Sequence, residues 1–307
     1  MTQLSVLIPY YRHDPAPLLE ALLQQASSDV EILLYDDGTG DAAVNAKLSA
    51  IAKTATTPVH LNFASVNKGR SAARNALFTD AKSPWVLFLD ADMLPSDHLF
   101  INRYLQAIAA GQAEIIFGGF EMAKTFTKDT ALHHAFSKTS DCLSAAQREI
   151  MGPKYVCSSN LAVRADVLTS QPFDTGFTGW GWEDSEWAAR VSTNYSLSHL
   201  ENPAIHLGLE GTEVMLRRFA DSAHNYDRFT ARHPQLAKTL TLYKMMHRLK
   251  SLPGQALMRP ILRGLVRANL APMKLRLLGL KLWRASWYAS RCQGVETGPE
   301  RLKEQSV

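Results

Sequence analysis

Apolar and polar positions alternate in blocks along the first 120 residues of the chain. Short apolar runs are typical of strands that are buried on both faces of a sheet. Such runs occur at residues 4–8, 30–35, 59–63, 86–89 and 114–117. Between them, apolar residues recur at helical spacing, which predicts helices that separate the strands. Strands that alternate with helices form parallel sheets with right-handed crossovers, so the pattern predicts an α/β fold.

Polar residues that favour helix ends set the predicted helix boundaries. Asp14 and Pro15 are typical of a helix start, with an acceptor side chain at the cap and proline in the first turn. A second helix is predicted over residues 42–54, a third ends near Thr79, and Ser96 is predicted to cap the next one. The polar clusters fall just after strands, at the edge where open α/β sheets bind ligands.

Charge is distributed unevenly along the 307 residues. Residues 241–292 contain 11 Lys/Arg and no Asp or Glu, whereas residues 1–240 contain 20 basic and 26 acidic side chains. The formal net charge of +4 therefore combines an acidic body with a basic C-terminal region. The three cysteines, Cys142, Cys157 and Cys292, have no metal-like spacing, which argues against a disulfide framework or a zinc site. A reducing compartment is the natural expectation.

The sequence predicts neither a signal peptide nor a membrane span. The chain opens directly into its first strand, without the basic segment and long apolar core of a signal peptide. No stretch approaches the roughly 18 consecutive apolar residues that a spanning helix needs. We therefore expect a cytoplasmic protein that is soluble or bound peripherally to the inner face of the cytoplasmic membrane.

Two aspartates, Asp90 and Asp92, follow the apolar run at residues 86–89. Side chains one residue apart point in opposite directions on a strand, so this pair converges only where the strand becomes a loop. Carboxylates at the carboxyl end of a buried strand suit Mg²⁺ or Mn²⁺ that carries a diphosphate. A pair of solvated loop aspartates is the alternative, which the Asp-X-Asp spacing taken alone favours.

Six segments of the sequence together resemble one enzyme family. They are Ser-Val-Leu-Ile-Pro-Tyr (5–10), Asp-Asp-Gly-Thr-Gly-Asp (36–41), Asn-Lys-Gly-Arg-Ser-Ala-Ala-Arg-Asn (67–75), Asp-Ala-Asp (90–92), Ser-Asn-Leu-Ala-Val-Arg (159–164) and Gly-Trp-Gly-Trp-Glu-Asp (179–184). In this order they resemble the inverting GT-A glycosyltransferases of family 2 with a galactosyltransferase-like second half, such as bacterial chondroitin-type and capsular polysaccharide enzymes.

The resemblance implies a GT-A fold, which is a Rossmann-like, mostly parallel sheet flanked by helices. It also implies transfer of a hexose or N-acetylhexosamine from a UDP-sugar to a glycan or glycolipid acceptor in polysaccharide biosynthesis. The catalytic domain is expected over residues 1–210, with a nucleotide-binding half over 1–120 and an acceptor half over 121–210. A helical basic extension is expected over 211–292, and the tail at 293–307 is predicted to be disordered.

On the donor side, the resemblance implies that the nucleotide base and ribose are held by Pro9, Tyr10, Asp36 and Asp37. An aspartate accepts hydrogen bonds from the uracil imide and from ribose hydroxyls. A tight turn rich in Asp and Gly is the alternative for the two aspartates. Lys68 and Arg74 are implied to face the diphosphate, since cations and helix N-termini favour phosphate. Arg74 is alternatively a surface helix residue.

The resemblance implies a divalent cation on Asp90, Asp92 and His206, with Asp90 also contacting the donor. His206 lies in a short apolar segment, so a packed core histidine is the alternative. Imidazole is an uncommon ligand for Mg²⁺, so coordination by His206 favours Mn²⁺. The cation neutralises the UDP leaving group as charge develops on it.

On the acceptor side, the resemblance implies that Asp184 and Glu183 are catalytic, with Asp184 as the general base. Asp184 also stands at a predicted helix start, where a simple N-terminal cap is the alternative. The residues implied to contact substrate are Asn160, Trp180, Gly181 and Trp182. Tryptophan offers a flat apolar face to a sugar, and buried core tryptophans are the rival interpretation.

The basic C-terminal region contains an apolar stripe at helical spacing over residues 257–266. Arginines recur every four residues beside it, at Arg259, Arg263 and Arg267. Further along, Trp283 and Trp287 lie among leucines. A basic amphipathic region with tryptophans suits an anionic membrane surface, and a helical hairpin packed on the catalytic domain is the alternative. No recognition motif supports nucleic-acid binding.

A non-catalytic nucleotide- or glycan-binding module on the same fold is the alternative function. The presence of both the Asp90 and Asp92 pair and Asp184 argues against it. A nucleotidyltransferase is a weaker rival, because such an enzyme has no use for the Trp-Gly-Trp-Glu-Asp segment.

Overall fold

The computed structural model describes residues 2–291. The chain divides into two compact units, one that ends at Leu209 and one that begins at Glu210. The predicted tail at residues 293–307 lies outside the described residues.

Within residues 2–209, the strands form one large and one small sheet. The strands are β1 Leu4–Tyr10, β2 Val30–Asp36, β3 Val59–Phe63, β4 Trp85–Leu89, β5 Met93–Pro95, β6 Ile115–Phe117, β7 Phe120–Met122, β8 Asn160–Arg164, β9 Leu197–His199 and β10 Ala204–His206. The large sheet has the order β3-β2-β1-β4-β8-β6-β9, and the small sheet has the order β5-β10-β7. Neighbours in the large sheet are parallel except for β8, which is antiparallel to β4 and β6. The predicted α/β fold with a mostly parallel sheet is confirmed.

The helices of the first unit follow the strands as the hydrophobic pattern predicts. They are α1 Ala16–Leu23, α2 Ala42–Thr54, α3 Arg70–Asp80, α4 Phe100–Ala110, α5 Ala131–Ser140, α6 Ala145–Met151, α7 Ala165–Ser170 and α8 Glu183–Val191, with a 3-10 helix at Gly152–Tyr155. The bounds of α2 match the prediction because the Asp41 carboxylate caps the amides of Ala43 and Val44.

The predicted cap at Ser96 is wrong. Residues 93–95 form strand β5, which pairs with β10 in the small sheet, and α4 begins only at Phe100. The Asp97 carboxylate accepts a hydrogen bond from the Leu99 amide at 2.8 Å just before the helix. A pairing with a strand more than 100 residues away therefore displaces the helix start that local sequence favours.

Strand β4 is buried on both faces, as its continuous apolar run predicts. Leu87 and Leu89 belong to the core that includes Phe100 of α4. Val86 and Phe88 belong to the opposite core, which includes Trp187 of α8. Full burial of a large apolar side chain contributes about 1.5–3 kcal/mol, so β4 is anchored firmly and the residues that follow it start from a fixed point.

The second unit is helical throughout its described part. Its helices are α9 Thr212–Asp221, α10 Ala223–Arg232, α11 Pro234–Thr239, α12 Thr241–Lys250, α13 Gln255–Arg267 and α14 Met273–Arg291. Helix α14 packs against α9, α10, α12 and α13. The longest helix of this unit therefore forms its centre.

The structure corrects part of the predicted amphipathic region. Trp283 is buried, and its indole N–H donates to the Leu216 carbonyl at 3.1 Å, so it is a core residue of the second unit. On α13, Leu262 and Val266 are buried, whereas Leu257 and Ile261 are 79% and 73% exposed. The stripe therefore divides into a packed face and an exposed face. Nowhere in residues 2–291 is a helix long and apolar enough to cross a bilayer.

Candidate active site

Asp92 and His206 are brought together by the small sheet. Strand β5 begins one residue after Asp92 and pairs antiparallel with β10, so that Met93 lies opposite His206. The Asp92 Oδ2 atom lies 3.4 Å from His206 Nε2. Burial raises the pKa of Asp92, but the contact with His206 outweighs it and lowers that pKa to about 2. Burial lowers the pKa of His206, but the Asp92 carboxylate outweighs it and raises that pKa.

Gly208 keeps the space beside this pair open. A Cβ atom at position 208 would lie 1.9 Å from Asp92 Oδ2 and 3.1 Å from His206 Nε2. Any side chain there would displace the carboxylate. The Asp92–His206 pair therefore depends on a glycine two residues after the histidine.

Asp90 lies between two arginines of helix α3. Arg70 Nη2 and Arg74 Nη2 approach Asp90 Oδ2 and Oδ1 respectively, each at 2.7 Å. The Arg74 side chain is 1% exposed, and its Nε and Nη1 atoms have no hydrogen-bond partner among the described residues. Both oxygens of Asp90 are thus engaged by guanidinium groups, and Arg74 is buried, so the alternative of a surface helix residue is wrong. The diphosphate contact of Arg74 stays a prediction. The geometry supports structural roles for Asp90 and Arg74.

A divalent cation fits Asp92 and His206 better than the predicted set of three ligands. Among residues 2–291, no group of three or more His, Cys, Asp or Glu side chains is arranged to hold a metal. Asp92 and His206 supply one carboxylate and one imidazole, which suit Mn²⁺. A cation held by one or two protein side chains takes its remaining ligands from substrate phosphates and water. The three-ligand arrangement with Asp90 is not formed.

Asp184 lies in the first turn of α8, with both carboxylate oxygens hydrogen-bonded. Ser158 Oγ donates to Asp184 Oδ1 at 2.6 Å, and Cys157 Sγ donates to Asp184 Oδ2 at 3.1 Å. The cap position of the helix is occupied by Trp182, so Asp184 is not the N-terminal cap. A carboxylate in a first turn is favoured by the helix dipole.

Arg70 is the neighbour that the acidic residues share. Its Nη2 atom pairs with Asp90, and its Nε atom lies 3.8 Å from Glu183 Oε1. Burial lowers the pKa of Arg70, but Asp90, Glu183 and Asp184 together raise it. Burial and the adjacent Asp184 raise the pKa of Glu183. Arg70 therefore contacts Asp90, lies near Glu183, and is influenced by the charge of Asp184.

The Gly/Trp loop before α8 has an unusual backbone. Gly179, Gly181 and Trp182 have φ values of +72°, +91° and +76°. Glycine adopts such values freely, but a non-glycine residue held there costs about 1–3 kcal/mol, and such residues cluster at functional sites. Trp180 and Trp182 are both half-buried. The loop thus holds two partly exposed indoles directly before α8, which contains Asp184 in its first turn.

The predicted nucleotide-binding residues stabilise the loops after β2 and β3. Asp36 accepts from the amides of Thr39 and Gly40 at 2.8 and 3.1 Å. Asp37 accepts from the amides of Lys68 and Gly69 at 2.8 and 2.9 Å, which ties the two loops together.

The remaining donor-side residues lie beside these loops. The Tyr10 hydroxyl donates to Asn45 Oδ1 at 2.9 Å, Pro9 is half-buried, and the Lys68 side chain is exposed. Gly38 approaches the backbone of Val66 so closely that a Cβ atom would lie 2.3 Å from it. The strand-end loops therefore form one joined surface at the ligand-binding edge of the sheet.

Asn160 is a structural residue, which corrects its predicted contact with substrate. It is 0% exposed. Its Nδ2 donates to the carbonyls of Gly119 and Asn202 at 2.8 and 2.9 Å, and its Oδ1 accepts from the Tyr104 hydroxyl at 2.7 Å. With its amide satisfied and enclosed, Asn160 stabilises β8 and cannot reach a cleft.

Sequence reasoning missed Arg70, Cys157 and Ser158. Arg70 stands directly after Gly69 at the start of α3. Its position as a cation in the Asn-Lys-Gly-Arg segment could have indicated a site residue. Ser158 precedes the Ser159-Asn160 segment, but it is 26 residues from Asp184, and no spacing rule connects the two.

A sequence model described as "Glycosyl transferase family 2" matches residues 5–169, which is more than half of the chain. The chain belongs to glycosyl transferase family 2. The predicted membership of family 2 is thereby confirmed, and five of the six segments lie inside the match, whereas the segment at residues 179–184 lies beyond it. Most of the candidate site lies inside the match, whereas the site residues at 180–184 and His206 lie beyond it.

Curated relatives in this family match only part of the chain. The uncharacterized glycosyltransferase EpsJ of Bacillus subtilis is 30% identical over 118 residues, which are 38% of this chain and 33% of that protein. An uncharacterized glycosyltransferase of Haemophilus influenzae is 32% identical over 91 residues, which are 29% of each chain. The matches thus span about a third or less of the length of these relatives.

Solved structures match the chain over nearly its whole length at low identity. S. aureus TarS 1-349 gives a TM-score of 0.56 at 16% identity, covering 95% of this chain and 92% of TarS 1-349. The mannosyltransferase PcManGT from Pyrobaculum calidifontis, in complex with GDP-Man and Mn²⁺, gives 0.58 at 15% identity, covering 96% and 88%. These similarities establish the GT-A fold expected from the sequence.

Proposed function

We propose that the protein is an inverting glycosyltransferase. It would transfer a hexose or N-acetylhexosamine from a UDP-sugar to a glycan or glycolipid acceptor in polysaccharide biosynthesis. The observation that carries this proposal is that Arg70 pairs with Asp90 at 2.7 Å and lies 3.8 Å from Glu183, the neighbour of Asp184 in the first turn of α8. Asp92, which lies 3.4 Å from His206, comes two residues after Asp90 in the chain. These contacts support a candidate base and a candidate cation site near the end of β4.

The donor side of the proposal uses Asp92, His206 and the nearby cations. Asp92 and His206 would hold Mn²⁺ or Mg²⁺, and a bound cation supplies charge neutralisation at a leaving diphosphate. Arg70 adds a positive charge that is 40% exposed. TarS 1-349 has been solved in complex with UDP-GlcNAc, and PcManGT with GDP-Man and Mn²⁺. These complexes of similar folds support a nucleotide-sugar donor and a divalent cation here.

The acceptor side of the proposal uses Asp184. Its carboxylate would take the proton from the acceptor hydroxyl while that oxygen forms the new bond to the anomeric carbon. The bond from the anomeric carbon to the diphosphate oxygen breaks on the opposite face, which inverts the configuration. Glu183, held beside Arg70, would keep that guanidinium in place. Trp180 and Trp182 would offer flat faces to the sugars.

A donor screen tests the reaction. Purified full-length protein is assayed against a panel of UDP-sugars with Mn²⁺ for hydrolysis and for transfer to glycan acceptors. Asp184→Asn should retain donor binding and lose turnover by roughly 10²–10⁴-fold, the range for a general base. Asp166→Asn is the matched control, because Asp166 is an exposed carboxylate in the first turn of α7 that pairs with Arg164 at the end of β8.

Two results would contradict the proposal. A fully active Asp184→Asn variant removes Asp184 as the base. Donor binding without any hydrolysis or transfer across the panel favours the non-catalytic binding module instead.

We also propose that the basic region over residues 241–292 contacts an anionic membrane surface. Leu257 and Ile261 are neighbours on the exposed face of α13, and Leu275 and Leu278 are exposed neighbours on α14. The exposed lysines of this region are Lys244, Lys274 and Lys281. Apolar side chains beside lysines suit a lipid surface that carries negative charge. Such contact would bring the enzyme to glycolipid acceptors on the inner face of the cytoplasmic membrane.

Vesicle flotation tests this contact. The full-length protein should float with vesicles that contain phosphatidylglycerol and stay at the bottom with phosphatidylcholine alone. The double variant Leu257→Glu/Ile261→Glu should lose binding. Ile150→Glu is the control, because Ile150 is 86% exposed in the first unit. Equal flotation of the double variant, or no flotation of the wild type, contradicts the proposal.

A further inference from the structure

The loop between the 3-10 helix and β8 supplies both hydrogen-bond donors to Asp184. Ser158 Oγ donates to Oδ1 at 2.6 Å, and Cys157 Sγ donates to Oδ2 at 3.1 Å. The Cys157 sulfur also lies 3.1 Å from Ser159 Oγ. Ser158 is 0% exposed, so its hydroxyl is not shared with bulk solvent. Each oxygen of this carboxylate therefore has one uncharged protein donor.

This loop is fixed to the end of β4. The Asp90 amide donates to the Ser159 carbonyl at 3.4 Å, and Asn160 lies opposite Leu89 in the β4–β8 ladder. The buried amide of Asn160 fixes the start of β8 to Gly119 and Asn202. Ser158 is therefore held at a fixed distance from Asp90. The end of β4 thus fixes where the two donors to Asp184 lie.

The positive charge of Arg70 attracts the Asp184 carboxylate and competes with the hydrogen bonds from Ser158 and Cys157. Asp184 is one of the carboxylates that raise the pKa of Arg70, after Asp90 and Glu183 and against the effect of burial. A carboxylate in the first turn of a helix turns freely about its side-chain bonds unless donors hold it. Without Ser158, the attraction of this guanidinium would be opposed only by the weaker thiol donor.

We propose that Ser158 and Cys157 are positioning residues that hold the Asp184 carboxylate in the orientation in which it takes a proton from the acceptor hydroxyl. The inference rests on the proposed function. Neutral donors orient a carboxylate without adding the positive charge that would weaken it as a base. The two contacts differ in strength, because a hydroxyl is a strong donor and a thiol is a weak one.

The protonation state of Cys157 is consistent with this role. Burial, followed by the charges of Asp184 and Asp90, raises the pKa of the Cys157 thiol well above its usual range. At neutral pH the sulfur therefore keeps its proton and can donate a hydrogen bond to Asp184. A thiolate in the same place would repel the carboxylate.

Kinetics of single variants in the full-length enzyme test the inference. Ser158→Ala should lower kcat for transfer by between about 10-fold and about 100-fold, since misplacing a catalytic group by 1 Å can cost about 10²-fold. The KM for the UDP-sugar should be unchanged, and the acid limb of the kcat profile should move to higher pH. Cys157→Ala should lower kcat only a few-fold, and Cys157→Ser should restore it because a hydroxyl replaces the thiol donor.

Ser5→Ala is the matched control. Ser5, on strand β1 of the same sheet, is also a fully buried serine. Its hydroxyl donates to a carboxylate oxygen, Glu31 Oε1, at 2.5 Å. It should lower Tm and leave kcat and its pH profile unchanged. If Ser158→Ala fails to fold, the pair Cys157→Ala and Cys157→Ser still decides the question through loss and rescue of kcat.

Different results identify which idea fails. An active wild type with an unaltered kcat and pH profile in Ser158→Ala overturns the positioning role and leaves the proposed function intact. A lower kcat that comes only with an equal loss of donor affinity shows a structural role and also overturns it. A wild type that binds UDP-sugars but turns over none of them overturns the proposed function, and the inference with it.

Discussion

Asp90 and Asp184 are two carboxylates of one site with opposite kinds of partner. Asp90 has a guanidinium nitrogen at 2.7 Å from each oxygen, one from Arg70 and one from the buried Arg74. Asp184 has a hydroxyl and a thiol instead. Two guanidinium groups pair with both oxygens of a carboxylate, whereas neutral donors orient it without neutralising its charge. The partners, more than the position in the sequence, therefore separate a structural aspartate from a candidate base.

Asp92 is a third case in the same region. It has a partner that can lose its charge, because His206 is a titratable imidazole. A divalent cation replaces a proton on such a pair more readily than it displaces two guanidinium groups. The three aspartates thus suit three tasks, which are to hold the arginines, to bind a cation and to accept a proton.

The largest expected effect is the loss of stability in Asp90→Ala. Removing this carboxylate leaves Arg74 buried and unpaired, which typically costs about 3–5 kcal/mol in the free energy of unfolding. The pairing with the half-exposed Arg70 contributes little in comparison. Asp184→Ala, which removes a half-buried carboxylate with neutral partners, should cost only about 1 kcal/mol. Urea denaturation of the two variants and the wild type measures the difference.

A double variant sharpens this test. Asp90→Ala combined with Arg74→Met should recover much of the lost stability, because no unpaired charge then remains in the core. Equal losses in Asp90→Ala and Asp184→Ala would show that Arg74 finds water, and the contrast between the two carboxylates would fail.

The elements of the fold could be predicted because their causes are local. The helix at Ala42–Thr54 has its cap in Asp41 and its apolar face in the neighbouring residues. The buried strand Trp85–Leu89 is visible as a continuous apolar run. The displaced start of α4 could not be predicted, because it depends on the pairing of β5 with β10.

The site could be predicted only as a list of residues. Strand-end position was enough to choose Asp90 and Asp92, since the carboxyl ends of parallel strands meet at one edge. The partner of each residue depends on contacts between distant segments. Asn160 occurs in a family segment but is enclosed by Tyr104 and Asn202, which lie 56 and 42 residues away in the sequence. No periodicity in the sequence reveals that enclosure.

A smaller effect is expected for donor binding in Asp92→Ala. The Mn²⁺-dependent part of the affinity for a UDP-sugar should fall by at least about 10-fold, as when a metal site loses an important group. Asp90→Asn should lower it less, because both Asp90 oxygens are already engaged by arginines. Calorimetry with and without Mn²⁺ measures both. Asp97→Ala is the control, since Asp97 is an exposed carboxylate paired with Arg103 at 2.7 Å. A larger loss in Asp90→Asn than in Asp92→Ala would reverse the assignment of the cation ligand.

The smallest effect concerns the pH dependence of the Asp92–His206 pair without metal. The pKa of His206 is raised in the folded protein, where the Asp92 carboxylate outweighs the opposing effect of burial. A raised pKa means that the pair stabilises the fold fully below the unfolded histidine value of about 6.5, and that this contribution disappears as pH rises through the folded pKa. Asp92 does not change this window, because its pKa of about 2 keeps it ionised throughout.

His206→Gln isolates the contribution. In EDTA at pH 5.5, the wild type should have a higher free energy of unfolding than the variant. At pH 8.5 this excess should be smaller by up to about 1 kcal/mol, since a partly exposed pair contributes modestly. Urea denaturation at the two pH values measures the difference, and His60→Gln serves as control because His60 is a more exposed histidine near Glu31. A difference that grows with pH would mean that His206 is neutral in the folded state, and Asp92 would then be a carboxylate without a cationic partner.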